Sequence, residues 1–102
     1  MMSLTAKQRQ YLKGLGHALK PVLQIGKDGL NERQLASISK ALEDHELIKI
    51  NILENSGLTK TDASEQILAS LKAETVQTLG RKLLLFKKSK DKPKISLSVK
   101  EN

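Results

Sequence analysis

The segment Gly26-Lys27-Asp28-Gly29 places two glycines around a lysine and an aspartate, directly after an apolar-leaning run at 22–25. A helical pattern begins a few residues later, so this segment is expected to join a strand to the start of a helix. Such a turn presents unpaired N–H groups and the positive end of the helix dipole, and anions bind there. The glycines lack a Cβ that would hold a sugar-phosphate backbone away, and Lys27 adds a positive charge.

The G-x-x-G spacing has a second interpretation, which is a plain strand-to-helix turn. Asp28 is a poor neighbour for a phosphate, but it suits a turn because its side chain can bond nearby backbone N–H groups. The preceding strand, the capped helix and the basic surroundings favour a nucleic-acid clamp like the G-x-x-G loop of KH domains. The pattern therefore predicts a phosphate contact at residues 26–29.

The net charge indicates a polyanionic partner. The 102 residues include 18 Lys and Arg against 11 Asp and Glu, which leaves a formal charge of +7. Basic charge can also serve solubility alone, but here it is unevenly distributed. Acidic residues concentrate at 43–46 and 54–74. The basic residues that dominate the first third of the chain are Lys7, Arg9, Lys13, Lys20, Lys27 and Arg33.

Composition narrows the possible sites further. The chain has no Cys, which excludes disulfides, thiolate zinc sites and thiol catalysis. His17 and His45 are the only histidines, and neither is predicted to bind a metal. No apolar run approaches the roughly 18 residues of a membrane span, and the amino terminus lacks the apolar core of a signal peptide. We therefore expect a cytoplasmic protein that uses no cofactor.

Two helices are predicted in the first half from apolar residues recurring at intervals of three and four. The first runs from a cap at Thr5 to about Leu19 and is ended by Pro21. The second begins at Asn31, where a capping box with Gln34 is expected. The inward residues predicted for these two helices are Leu12, Leu15, Leu19, Leu35, Ile38 and Leu42.

Strands are predicted at 22–25 and 47–53, followed by a third helix that opens at Thr61 or Asp62 with Ile67, Leu68 and Leu71 inward. A strand–turn–strand hairpin then follows, with its turn at Gly80-Arg81. The order α-β-α-β-α-β-β predicts a single compact α/β sandwich with a roughly four-stranded mixed sheet, because strands joined through a helix make right-handed crossovers. We expect a domain at 1–90 and a basic tail at 91–102, where Ile95, Leu97 and Val99 alternate and could add an edge strand.

Three segments together resemble the YhbY-like family of stand-alone bacterial CRM domains, named for chloroplast RNA splicing and ribosome maturation. They are "LTAKQRQYLKGLGHALKPVLQIGKDGLNE", "ALEDHELIKINI" and "VQTLGRKLLLFKKSKDKPKISL". The resemblance implies a fold similar to the carboxyl-terminal domain of bacterial translation initiation factor three. It also implies RNA binding through the G-x-x-G loop and adjacent basic surface, and association with precursors of the large ribosomal subunit.

The predicted contacts are mostly to phosphate and sugar, because Tyr11 and Phe86 are the only aromatic residues and cannot form a stacking platform. Phe86 is expected in the core. For His17 two roles stay open, RNA contact and packing at the helix end. The predicted RNA-binding residues are Gly26, Lys27, Asp28, Gly29, Lys7, Lys13, His17, Lys20, Arg33, Arg81 and Lys82.

Two other classes of function are alternatives to a non-enzymatic RNA-binding assembly factor. A phosphate- or nucleotide-binding enzyme could use the same loop, but the sequence has no Walker lysine motif and no evident nucleophile with a general base. An anionic-membrane binder would need a helix with a large basic face and a bulky apolar side, which the first helix with its glycines does not supply. The sequence therefore predicts RNA as partner, with no membrane and no small-molecule substrate.

Overall fold

The structure is a computed structural model that describes residues 4–89. It contains three helices, four strands and one short 3-10 turn. The helices are α1 (Ala6–Gly16), α2 (Glu32–His45) and α3 (Lys60–Leu71), and the 3-10 turn is Glu54–Ser56. The strands are β1 (Pro21–Ile25), β2 (Leu47–Ile52), β3 (Glu74–Leu79) and β4 (Lys82–Phe86). The predicted order α-β-α-β-α-β-β is confirmed, and the predicted tail at 91–102 lies outside the described residues.

The four strands form one mixed sheet in the order β1-β2-β4-β3. β1 runs parallel to β2, while β4 is antiparallel to both β2 and β3. The second strand of the hairpin is therefore inserted between β2 and β3, which point in the same direction without being neighbours. β2 and β4 lie in the middle of the sheet, and β1 and β3 form its edges.

Helices cover both faces of the sheet because the central strands are apolar on both sides. On one face, Ile48, Ile50 and Leu85 pack with α2 and α3 in the larger core cluster. On the other face, Leu84 and Phe86 pack under α1 in a smaller cluster. Phe86 is 4% exposed, so its predicted place in the core is confirmed.

The first helix is shorter than predicted. α1 ends at Gly16, and the N–H of Leu19 donates to the Gly16 carbonyl 3.0 Å away in the loop that follows. Leu12 is fully buried and Leu19 is partly buried, but Leu15 is 40% exposed, so its predicted place in the buried stripe is wrong. Gly14 and Gly16 weaken the last turn because glycine disfavours helix. The helix therefore ends at Gly16, three residues before the predicted end at Leu19.

The second helix follows the prediction closely. Asn31 caps α2 by accepting the Gln34 N–H at 2.9 Å. Ile38 and Leu42 are buried, as predicted. The reciprocal bond that would complete a capping box with Gln34 is not among the contacts of the described residues.

The third helix begins earlier than predicted. Thr59 caps α3, and the Asp62 side chain completes the capping box. The helix therefore starts one or two residues before the predicted Thr61 or Asp62, because the loop supplies an earlier cap. Ile67 is buried as predicted, but Leu68 is 39% exposed and the small Ala63 is buried in its place.

Gly16 marks the closest approach of α1 to the sheet. A Cβ at this position would lie 2.6 Å from Cδ2 of Leu84, whereas a Cβ at Gly14 would meet nothing within 4 Å. Leu84 is itself buried, so it has little room to move. The glycine at 16 is therefore a packing requirement.

This contrast predicts opposite effects for two substitutions in the same helix. Gly14→Ala should raise the free energy of unfolding by about 0.5–1 kcal/mol through helix propensity. Gly16→Ala gains the same propensity but overpacks the core, so it should be about 1–3 kcal/mol less stable than Gly14→Ala. Urea denaturation of the two variants measures the difference. Equal stabilities would show that Leu84 yields without cost.

Candidate nucleic-acid interface

The four residues Gly26 to Gly29 form a tight turn between β1 and α2. The Gly29 N–H donates to the Gly26 carbonyl at 2.8 Å and closes the turn. Within residues 4–89, the backbone N–H groups of Lys27 and Asp28 at its crest make no hydrogen bond. The turn thus presents two free N–H donors and the Lys27 charge. At the start of α2 behind it, the Gln34 N–H is already taken, because it donates to the Asn31 side chain.

The two glycines of this turn differ in what the fold requires of them. Gly29 has a φ of 65°, in the left-handed region that favours glycine. Gly26 does not, and a Cβ there would lie 3.6 Å from the nearest atoms, Oδ1 of Asn55 and Cδ1 of Leu53, which is ordinary contact. The fold therefore explains the glycine at 29 and leaves the bare backbone at 26 unexplained.

The turn lies at the end of the sheet where the carboxyl ends of β1 and β2 meet. The Leu53 N–H donates to the Ile25 carbonyl at 2.9 Å, and the Ile52 N–H donates to the Arg81 carbonyl at 2.7 Å. These bonds bring the ends of β1 and β2 beside the hairpin turn between β3 and β4. We call this the clamp edge, defined by residues 26–29, 53–56 and 80–82.

Arg81 has a structural role at the clamp edge. Its guanidinium donates to the carbonyls of Ile52, Leu53 (3.2 Å) and Leu58 (2.8 Å). It thereby fastens the loop after β2 to the hairpin turn. The sequence placed Arg81 among the basic residues around the turn, and three of its five N–H donors are used by the fold. Its RNA contact stays a prediction beside this structural role.

Charge is divided between the two faces of the sheet. α1 carries basic residues and no acidic one, whereas α2 and α3 together carry more acids than bases. Lys82 alternates with the buried Leu83 and so points to the face that α1 partly covers. The acidic residues of the other layer are Glu32, Glu43, Asp44, Asp62 and Glu65. The α1 face is therefore the more positive of the two, and at the clamp edge Lys27, Arg81 and Lys82 stand beside the acidic Asp28 and Glu54.

One basic residue of α1 is held by the fold. Arg9 donates to the carbonyls of Thr75 (2.9 Å) and Val76 (3.2 Å) and lies 3.7 Å from a Glu74 oxygen. These contacts anchor α1 to β3. Lys7 and Lys13 are the other two basic residues of the helix.

The predicted contact residues fall into two groups. Lys27, Asp28 and Lys82 lie at the clamp edge. Arg33 lies in the first turn of α2 and lines a shallow cleft together with Asp28. The second group lies on α1 or between α1 and β1 and consists of Lys7, Lys13, His17 and Lys20.

Lys20, a member of the second group, lies at the opposite end of β1 from the turn. Five strand residues separate Lys20 from Gly26, so the two Cα atoms are six steps apart, about 20 Å at roughly 3.3 Å per residue. His17 is exposed at the end of α1, where its N–H donates to the Gly14 carbonyl at 3.3 Å. His17 is therefore not part of the core, and RNA contact by its side chain stays a prediction.

Lys49 was not among the predicted contact residues, yet it lines a groove on the α1 face. The alternation of Ile48, Lys49 and Ile50 correctly placed the lysine on the face opposite α2 and α3, but gave no reason to expect it near a ligand. Lys49 is only 9% exposed, and together with Lys20 it lines a groove. The signal was a charged residue inside an otherwise buried central strand.

Comparison with known families agrees with this architecture. The model of the CRS1/YhbY (CRM) domain matches residues 4–87, which is nearly all of the chain that the structure describes. The chain belongs to this family. The predicted resemblance is therefore confirmed.

CRM-domain relatives match over nearly their whole length. A Bacillus subtilis protein named "probable RNA-binding protein YqeI" is 38% identical over 92% of this chain and 98% of its own. A Haemophilus influenzae protein named "RNA-binding protein" is 43% identical over 89% of this chain and 92% of its own. The solution structure of a hypothetical Staphylococcus aureus protein matches with a TM-score of 0.68 and 33% identity, covering 92% of this chain and 98% of that protein.

Other kinds of site find no support in the described part of this CRM domain. Residues 4–89 contain no group of three or more His, Cys, Asp or Glu side chains that could hold a metal ion. Over the same range, no helix is both long enough and apolar enough to cross a bilayer.

The assignment of Arg81 can be tested against its neighbour. Arg81→Met should lower the free energy of unfolding by about 2–3 kcal/mol, because three carbonyl oxygens lose their donor. Lys82→Met, at an exposed position, should change it by less than about 0.5 kcal/mol. Urea denaturation followed by circular dichroism compares the two. Equal stabilities of the two variants would show that the Arg81 hydrogen bonds do not stabilise the fold.

Proposed function

We propose that this CRM domain is a non-enzymatic RNA-binding protein that uses the clamp edge and the α1 face. The observation that carries the proposal is the bare backbone at Gly26, which the fold does not require, beside free N–H groups and the Lys27 charge. The names of the Bacillus subtilis and Haemophilus influenzae relatives support RNA as the ligand.

The chemistry of the turn suits a phosphodiester. The free N–H groups of Lys27 and Asp28 can donate to phosphate oxygens, and the Lys27 ammonium neutralises charge. A Cβ at Gly26 would narrow the approach without disturbing the fold. The Asp28 carboxylate would repel a phosphate on its own side, so the phosphate is expected to approach from the Gly26 and Lys27 side.

The positive α1 face extends the contact beyond one phosphate. Lys13 and Lys82 supply charge without acidic residues on α1, and such a surface binds nucleic acid through counterion release. A nucleotide-binding enzyme would instead need a concave site with convergent catalytic groups. The cleft beside the turn is shallow and is lined by Asp28, Arg33 and other polar residues of the α2 start, which favours the RNA-binding function.

The resemblance to stand-alone bacterial CRM domains supports a more specific role. We infer that the RNA is ribosomal RNA in precursors of the large ribosomal subunit and that the protein acts there as an assembly factor in the cytoplasm. An assembly factor must leave before the mature surface forms. The protein should therefore be scarce on translating ribosomes.

Substitutions in the turn test the clamp. Gly26→Asp should lower RNA affinity at least about tenfold, because a carboxylate there repels the phosphate, while the stability stays within about 0.5 kcal/mol. Gly29→Ala should instead destabilise by about 1–2 kcal/mol because of its positive φ. Fluorescence anisotropy with labelled RNA and urea denaturation separate the two effects. A folded Gly26→Asp protein with full affinity would exclude the turn from the interface.

The salt dependence of binding tests the nature of the contact at Lys27. Lys27→Gln should weaken binding to many RNA sequences alike and flatten the slope of log affinity against log salt by roughly 0.7. Lys60→Gln, on the acidic α3 layer, is the matched control and should leave the slope unchanged. A loss of affinity restricted to one RNA sequence would indicate base recognition and contradict a phosphate contact.

The place of the protein in the cell tests the assembly role. In sucrose gradients run at two salt concentrations, it should sediment with a large-subunit precursor and be depleted from polysomes. The Gly26→Asp variant should leave that peak. An even distribution that collapses at moderate salt would leave only non-specific binding to exposed RNA.

A further inference from the structure

A groove lies between the end of α1 and the start of β1, away from the clamp edge. Its lining consists of five apolar residues and three basic ones, which are Leu15, Leu19, Val22, Leu47, Ile48, Lys20, His45 and Lys49. We call this the α1–β1 groove. Its volume is about 380 Å³, which falls within the range of roughly 300–1,000 Å³ typical of small-ligand sites.

Lys49 is the unusual member of this groove. It lies in the central strand β2 and is only 9% exposed, yet it has no hydrogen-bond or acidic partner among residues 4–89. No described buried side-chain nitrogen lacks a hydrogen-bond partner, so the buried part of Lys49 is its stem and its ammonium reaches the groove. Lys20 and His45 add two further basic side chains to the same groove. The groove therefore presents positive charge that suits an anion.

The apolar side of the groove also lacks a partner. Leu15 is 40% exposed and Val22 is 50% exposed, and they are two of the few large apolar side chains left exposed in the described chain. Neither Asp nor Glu is among the described residues that line the groove. A fitting ligand must combine a negative charge with a flat apolar body.

We propose that the α1–β1 groove binds one nucleotide of a single-stranded RNA segment, with its phosphate at Lys20 and Lys49 and its base against Leu15 and Val22. This proposal rests on the proposed RNA-binding function and adds a second contact to it. An acidic peptide would match the three basic residues, but it would leave the apolar wall uncovered. A nucleotide satisfies both sides.

A continuous path connects the groove to the clamp edge. Gln24 pairs with Asn51, and Pro21 pairs with Lys49, so the strand pair β1–β2 leads from the turn to the groove. Gln24 and Asn51 lie on the face opposite the large core cluster, since their neighbours Ile25, Ile50 and Ile52 belong to that cluster. Their amides can donate to and accept from the sugar and base edges of the RNA between the two ends.

The test compares groove variants over a length series of labelled oligouridylates, measured by fluorescence anisotropy. Lys49→Met keeps the buried stem and removes the charge, and it should weaken binding of long oligomers about tenfold. Lys20→Gln, at an exposed position, should weaken it about two- to fivefold. The shortest oligomers reach only the clamp edge and should bind these variants as they bind the wild type.

Matched controls come from the opposite layer. Lys60→Gln removes an exposed charge from α3, and Leu68→Ser removes an exposed apolar side chain for comparison with Val22→Ser. Val22→Ser should lower the affinity for long oligomers, and both controls should leave it unchanged. Circular dichroism verifies folding, and Lys20→Gln keeps the proposal testable if Lys49→Met does not fold.

The outcomes separate this proposal from the proposed function. Full affinity of Lys20→Gln and Val22→Ser for long oligomers, with Gly26→Asp defective, would overturn the groove and retain the clamp. Full affinity of Gly26→Asp with defective groove variants would do the reverse. A wild-type protein that binds no RNA would overturn both. Binding of labelled oligoglutamate that Lys49→Met abolishes, with RNA affinity unchanged, would assign the groove to a protein partner.

Discussion

Burial of β2 and β4 on both faces is the constraint on which the structure depends. Their antiparallel pairing places Ile48 beside Leu85 toward α2 and α3, and Leu47 beside Phe86 toward α1. A sheet with two apolar faces needs helices on both. The short α1 covers only part of its face, which leaves the end of the sheet nearest the turn open. The proposed RNA-binding surfaces lie where this coverage stops.

The division of charge follows from the same layering. All charged residues of α1 are basic, and they lie outside the inward side, where Leu12 and Gly16 pack against the sheet. The layer of α2 and α3 carries five acidic residues against three Lys and Arg, and Lys40 there pairs with Asp44 at 3.0 Å. A polyanion is therefore attracted to one face and repelled from the other. This orients the protein on its ligand before any specific contact forms.

Local patterns predicted most of the fold. The alternation of Ile48, Ile50 and Ile52 gave the correct face of β2, and Asn31 gave the start of α2 within one residue. These features depend on side-chain periodicity and on capping, which are local in sequence. The order β1-β2-β4-β3 has no such local signal, because it depends on which strand the hairpin joins.

The site was predictable only in part for the same reason. The G-x-x-G spacing identified the turn, but only geometry distinguishes Gly29, which needs its φ, from Gly26, which does not. The carbonyls that accept from Arg81 lie 23 to 29 residues away in sequence, so no local pattern could assign its role. Exposed Leu15 was misplaced because its helical spacing resembles that of a buried stripe.

The central position of β4 has a consequence for synthesis of the chain. It is the last strand to be translated among the described elements, yet both β2 and β3 pair with it. Until residues 82–86 have emerged from the ribosome, β3 has no neighbour and β2 has only β1. Pairing between segments distant in sequence forms slowly, and unpaired edges are exposed in the meantime. The basic α1 and the glycine turn emerge first, but the scaffold that fixes their relative positions is completed last.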